Sequence, residues 1–162
     1  MKATMIFVLC AALAVPVFAS EPATALLIID IQDFYFPGGK SALVNPEAAS
    51  ANAAKVLAAF RTADNPVVHV RHEFEPGGSI HTSVAPVEGE KVFTKTEVSC
   101  FNGTKVLAHL KEIGVEKLVI VGMQTHMCLE AAARAAHDQS GMTVQADQPC
   151  GQSIWSQGHR PP

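Results

Sequence analysis

The chain is expected to fold as an α/β protein, a three-layer sandwich around a mainly parallel sheet. Three observations carry that expectation. Short apolar runs rich in Val, Ile and Leu recur at five places, mostly separated by stretches of helix formers. Helix-start and helix-stop residues punctuate those stretches. Asp30, Lys95 and the turn leading to Cys128 all fall where a strand-like run ends, the edge at which open parallel sheets carry their ligand sites.

The first run is Ala25 to Ile31 (ALLIIDI), interrupted near its end by Asp30. A helix follows, begun by Pro46 and continued by Glu47, Ala48, Ala51, Ala54, Val56, Leu57 and Phe60. The next strands are Val67 to Val70 and Lys91 to Thr94. Thr104 to Ile113 reads as a helix with Val106, Leu107 and Leu110 on one face and Gly114 as its stop. Leu118 to Val121 is apolar throughout, as a fully buried parallel strand should be, and breaks at Gly122. Leu129 to Ala136 contains the strongest helix formers, so a helix begins around Cys128, and Met142 to Gln145 is the last strand.

The chain starts MKATMIFVLCAALAVPVFASEPA, with Lys2, an apolar run, and Val17 and Ala19 before Ser20. This resembles a secretory signal peptide cut after Ala19, and Pro16 suits a stretch that is cut rather than one that spans. A retained anchor is the alternative. Cys10 follows Leu9 rather than a small residue, which argues against a lipid attachment site. The expected organisation is a signal peptide over 1–19, one domain over 20–147 and an irregular tail over 148–162, with export to the periplasm or the medium.

The formal net charge of -3 and the lack of a basic cluster argue against a nucleic-acid partner or a polybasic membrane surface. A small-molecule substrate is the expected partner, with no membrane attachment after signal cleavage. Cys100, Cys128 and Cys150 remain in the mature chain, an odd number without a CxxC pair, which fits neither a zinc ribbon nor a disulfide framework. A Cys100–Cys150 bridge stays open for an exported domain.

A lone cysteine beside an apolar run is ordinarily packing. Cys128 has a second reading, because unpaired amides and the positive end of a helix dipole favour a thiolate and can receive an oxyanion. Partners decide between the two. Asp30 can take a thiol proton and return it to a leaving amine, although strand-end aspartates often serve as loop acceptors. Lys95 beside Cys128 would hold the thiolate and Asp30 in their charged states; elsewhere it is a solvated loop lysine. A carboxylate, an ammonium and a thiol converging from three strand ends outweigh the packing reading.

LLIIDIQ, KTEVSCFNGT and VIVGMQTHMCLEAAARAAHD, in this order and spacing, resemble the isochorismatase-like cysteine hydrolases, which include nicotinamidases and N-carbamoylsarcosine amidase. The resemblance covers roughly residues 25 to 147. It implies strand order 3-2-1-4-5 and a catalytic triad of Asp30, Lys95 and Cys128. It also implies a non-proline cis peptide at Met123–Gln124 that aims the amide of Gln124, with that of Cys128, at an oxyanion. Isochorismatase itself lacks the nucleophilic cysteine. With Cys128 present, the resemblance implies hydrolysis of an amide-type C–N bond through a thioester. It further implies association into a homo-oligomer through helices flanking the sheet.

The nicotinamidase branch carries a divalent-ion cluster of histidine and aspartate, which is not evident here. His69 and His72 fall on opposite faces of an extended strand, so neither a metal nor another cofactor is expected. His69 reads as a packed or capping residue. His72, with Arg71, Glu73 and Phe74, is a pocket-lining candidate. Phe34 and Phe36 form either an aromatic wall for a flat substrate or core packing, and Thr125 and His126 are either turn formers or substrate contacts.

After about Gln139 the chain departs from the family pattern. It ends DQPCGQSIWSQGHRPP, resembling the product of a reading-frame shift, with the last family strand and closing helix missing. That would leave Met142 to Gln145 as an exposed edge. The alternative to an active hydrolase is therefore an inactive remnant, or an α/β domain that binds a ligand or partner without turnover. A nucleotide-binding domain is discounted because no GxGxxG follows Asp30.

Overall fold

The structure, a computed structural model, describes residues 23–146. The expected signal peptide, the tail over 148–162 and Cys150 lie outside the described residues. Five strands, β1 (Ala23–Ile29), β2 (Val67–His72), β3 (Lys91–Lys95), β4 (Val115–Gly122) and β5 (Thr143–Ala146), form one sheet in the order β3-β2-β1-β4-β5. Every pairing is parallel, as the resemblance implies. The helices are α1 (Pro46–Thr62), α2 (Val106–Glu112) and α3 (Glu130–Ser140).

The sheet separates two apolar layers, and β1 shows why. Ala25, Leu27 and Ile29 point to the side that holds Val106, Leu110, Ala132 and Ala136 of α2 and α3. Leu26 and Ile28 point to the other side, against Ala49, Ala53 and Leu57 of α1. Alternate residues of an extended strand face opposite ways, so a strand covered on both faces must be apolar at every position. That accounts for the unbroken ALLII. Each fully buried Leu or Ile contributes about 1.5–3 kcal/mol of transfer free energy.

Helix boundaries follow local chemistry. Pro46 opens α1 after Asn45, which takes a left-handed conformation at φ 53°. Thr104 sits outside α2: its hydroxyl donates to the Cys100 carbonyl and accepts from the Val106 amide, so α2 begins at Val106. Ser140 ends α3 at a left-handed Gly141. Before α3, Thr125–Leu129 form a wide π-helical turn. Among the described residues, β5 pairs with β4 alone, as an edge strand.

Two differences from the sequence reading bear on the site. β1 stops at Ile29 rather than Ile31, because Asp30 adopts a left-handed φ of 54° and turns its side chain out of the strand alternation; Asp tolerates that region better than most residues. β2 extends to His72, two residues further than expected, where it pairs with Lys95.

Candidate active site

The parallel register lines up the strand ends. Ile29 stands opposite both Val70 and Gly122, and His72 opposite Lys95. The chain leaving β4 hugs β1: the Met123 amide donates to the Ile29 carbonyl at 2.9 Å. Gly122 makes this approach feasible, since a Cβ there would lie 2.0 Å from the same carbonyl oxygen. The Met123–Gln124 peptide is cis, at the position the resemblance implies. The π-helical turn then brings Cys128 back over the end of the sheet.

There Asp30, Lys95 and Cys128 meet. Lys95 Nζ lies 2.8 Å from Asp30 Oδ2 and 3.4 Å from Cys128 Sγ. It also donates to the Glu97 carbonyl at 3.1 Å and approaches His72 Nδ1 at 3.4 Å. The Lys95 and Asp30 side chains are buried, with exposures of 0% and 1%. No donor meets either Asp30 oxygen at good hydrogen-bonding angles, so its contact with Lys95 is chiefly one of charge.

Burial pushes Asp30 above its ordinary 3.8, with the Lys95 charge opposing. Burial alone would lower Lys95, but the Asp30 carboxylate reverses this and holds the ammonium above 10.5. The Cys128 thiol is pushed up to about 11, first by burial and then by the Asp30 charge, against the pull of Lys95. Burial and the neighbouring carboxylate thus work against the thiolate that a helix start alone would favour, and the wide turn sets Cys128 before α3. Both effects favour the protonated sulfur, with the Asp30 carboxylate and the Lys95 ammonium beside it.

The three groups open into a cavity of about 340 Å³. Phe34, Tyr35 and Phe74 form one wall, with Phe34 ring centroids 4.2 Å from Tyr35 and 4.4 Å from Phe74. His72, Ser41, Val98 and Met127 complete the lining. Of the sequence candidates, Phe34, His72 and Phe74 line the cavity. Phe36 does not: beyond the 3-10 turn its ring stacks on His81 at 3.6 Å, inside the α1-side core. Thr125 lies in the π-helical turn and is not part of the lining. Arg71 reaches instead to Thr94 Oγ1 and the Gly78 carbonyl.

Tyr35, Ser41, Val98 and Met127 were not singled out by sequence, and neither was Gln32. Fully buried Gln32 donates to the carbonyls of His72 and Gly78 at 2.9 and 2.7 Å and accepts from the His72 amide at 2.7 Å. It pins the end of β2 to the end of β1. A polar residue directly after a buried strand was the available signal, since buried amides require partners.

The residues do not fit a bound divalent ion of the nicotinamidase kind. Among the described residues no three His, Cys, Asp or Glu side chains are grouped to hold a metal. His72 faces the Lys95 ammonium, and His69 faces Glu90 at 2.8 Å on the other side of the strand. Gly39-Lys40-Ser41 is likewise no phosphate loop. Phe34 stands where that motif needs its first glycine, and α1 starts only at Pro46. Cys100 is a free thiol in the core, held up at about 12 by burial.

This fold, with a thiol, an ammonium and a carboxylate at the carboxyl edge of its sheet, agrees with the sequence comparisons. The chain matches the isochorismatase domain over residues 24–160, and it belongs to the isochorismatase family of hydrolases. An uncharacterised isochorismatase family protein of Bacillus subtilis, YddQ, is 48% identical over 124 residues, 70% of this chain and 69% of the relative. The secreted isochorismatase effector Isc1 of Verticillium dahliae is 32% identical over 146 residues, 84% of this chain and 76% of the relative. Among solved structures, an isochorismatase from Pseudomonas putida KT2440 superposes with a TM-score of 0.74 at 30% identity, over 81% of this chain and 73% of that one. An N-carbamoylsarcosine amidase from Thermoplasma acidophilum shares the fold, with a TM-score of 0.75 at 21% identity over 82% of this chain and 86% of its own. Further relatives are named streptothricin hydrolase in Streptomyces noursei, nicotinamidase 3 in Arabidopsis thaliana and maleamate amidohydrolase in Pseudomonas putida. Two of these names, nicotinamidase and maleamate amidohydrolase, denote amide hydrolysis of different substrates.

Proposed function

We propose that the protein hydrolyses the C–N bond of a small amide through a thioester on Cys128. The observation that carries this reading is the meeting of thiol, ammonium and carboxylate at the floor of one cavity, with Lys95 Nζ 2.8 Å from Asp30 and 3.4 Å from Cys128. The names of the more distant amide-hydrolysing relatives support the bond type.

Asp30 takes the Cys128 proton as the sulfur attacks the amide carbon, so the thiolate forms only as it is consumed. The carbonyl electron pair moves onto oxygen, where the amides of Gln124 and Cys128 donate to it. Asp30 returns its proton to the amide nitrogen, the C–N bond breaks, and ammonia or an amine leaves. Water, deprotonated by Asp30, then attacks the thioester, releasing the acid and regenerating the thiol. Lys95 stays protonated throughout and offsets the negative charge passing between Asp30 and sulfur.

The Phe34, Tyr35 and Phe74 wall suits a flat or apolar body on the substrate. Ammonia release from a panel of primary amides, compared between wild type and Cys128→Ala, tests the reading; equal release by both proteins overturns it. Export rests on residues 1–19 together with one relative that is a secreted effector. N-terminal sequencing of protein from the culture medium or periplasm should begin at Ser20.

A further inference from the structure

The cavity that holds Cys128 shares part of its wall with a second hollow. Val98, from the loop after β3, and Met127, from the π-helical turn, line the cavity and also line an adjoining open hollow of about 330 Å³. The other walls of that hollow are His126, Glu130, Ala131 and Arg134. Among the described residues five large apolar side chains are exposed, and Val98 at 45% and Met127 at 44% are two of them. A single exposed valine or methionine is ordinary on a protein surface. Two that stand between a hollow and the cavity of Asp30, Lys95 and Cys128 make a continuous apolar path out of the site.

We propose that this hollow is a subsite for an uncharged aliphatic arm on the substrate, which leaves the cavity over Val98 and Met127 and lies along the start of α3. This deepens the proposed function and rests on it for the bond that is cleaved. Met127, Ala131 and Arg134 follow one another at intervals of four and three residues, the spacing that puts side chains on one face of a helix. The stripe begins beside the nucleophile and, at ~1.5 Å per residue, extends about 10 Å. Ala131 is its small central residue, and a longer side chain there would occupy the hollow.

The arm is uncharged because the charges that line the hollow are already matched. Arg134 Nη2 lies 2.6 Å from Glu130 Oε1, in an exposed i,i+4 pair. A charged group on the arm would have to compete with one partner of that pair in a solvated setting, where ionic contacts contribute little. A methylene chain over Val98, Met127 and Ala131 instead removes apolar surface from water. The two regions then divide recognition: the wall of Phe34, Tyr35 and Phe74 meets the body of the substrate, and the hollow reads the length of its arm.

Alkylation of Cys128 by a series of N-alkyl iodoacetamides, from N-methyl to N-hexyl, reads the subsite without turnover. Mass spectrometry locates the label, and each rate is divided by that of the same probe with glutathione. A fully buried methylene contributes about fourfold, and one lying on an open wall about twofold. With three or four methylenes seated, wild type should favour the N-hexyl over the N-methyl probe by about tenfold. Ala131→Gln puts a longer polar side chain into the hollow and should bring that ratio to within about twofold of one. Val98→Ser should lower it about threefold. The two substitutions lie on different elements, so failure of one variant to fold leaves the other to decide. A ratio near one in the wild type, as when a second copy of the chain covers this face, overturns the proposal. So does a wild-type ratio retained in the variants. Ammonia release that survives Cys128→Ala would instead overturn the hydrolase reading and leave these ratios interpretable.

Discussion

Lys95 and Asp30 form a buried ion pair, Nζ to Oδ2 at 2.8 Å, with Cys128 Sγ 3.4 Å from the same ammonium. The pair joins the end of β3 to the end of β1, two strands that do not touch because β2 lies between them. It therefore holds the carboxyl edge of the sheet together as well as setting its charge.

Breaking one side of such a pair leaves an uncompensated buried charge. Lys95→Met should lower stability in urea by about 3–5 kcal/mol, whereas the double variant Lys95→Met Asp30→Asn should recover most of the loss. A double variant no more stable than the single one would show that charge is not the cause.

The pH dependence of turnover should follow Asp30 on the acid side. Asp30 must be ionised to accept the thiol proton, and burial holds it above 3.8. Activity should therefore fall with acid along a limb centred above that value. With the Cys128 thiol at about 11, alkylation should still be rising where an ordinary cysteine near 8.5 has levelled off. A plateau reached by pH 9 would contradict the burial argument.

Acid stability should depend on a second cluster, away from the cavity. His69 Nε2 lies 2.8 Å from Glu90, which Arg61 also grips at 2.7 and 2.8 Å. Burial lowers His69 below 6.5, so the contact is a neutral imidazole donating to a carboxylate. Burial would raise Glu90, but the bonds from Arg61, the Val87 amide and His69 hold it at about 2. Both folded values lie below their ordinary ones. The stability they contribute is complete above pH 6.5, declines first as His69 takes a proton, and declines again from 4.5 towards 2 as Glu90 does. Thermal melts of Glu90→Gln should lose the second decline; an unchanged profile would count against this assignment.

Gly122→Ala should be severe. Its Cβ would lie 2.0 Å from the Ile29 carbonyl oxygen at a φ of +156°, so the backbone beside Asp30 or the cysteine turn must move. A loss of about 3 kcal/mol is expected, with slower Cys128 alkylation. Gly114→Ala is the control: its φ is +71° but nothing lies within 4 Å, and about 1 kcal/mol is expected. Equal effects from the two substitutions would sink the close-approach argument.

The sheet has the strand order the resemblance implies, and Asp30, Lys95 and Cys128, picked out at strand ends, lie together there. β1 from Ala25 and β4 from Leu118 are covered on both faces, so their apolar runs are unbroken, and both runs end beside the cavity. Gly122 and Pro46 marked real boundaries for the same local reason, their backbone preferences. The cavity wall was less legible. Phe34 and Phe36 are two residues apart and equally aromatic, yet one lines the cavity and the other stacks on His81, because a 3-10 turn intervenes and the loop carrying His81 arrives from elsewhere.

The state of Cys128 shows the division most sharply. Local sequence places the thiol before a helix and argues for a thiolate; in the folded site burial and Asp30 push the thiol up to about 11. Periodicity, helix formers and turn residues act over a few positions, so the chain's order of residues suffices to set elements and their sequence of packing. Charge balance and hydrogen-bond partners depend on groups brought together over 30 to 128 in the numbering, among them Gln32, His72 and Lys95. Desolvation and proximity exist only once the sheet has formed, and they set the balance of charge at the site.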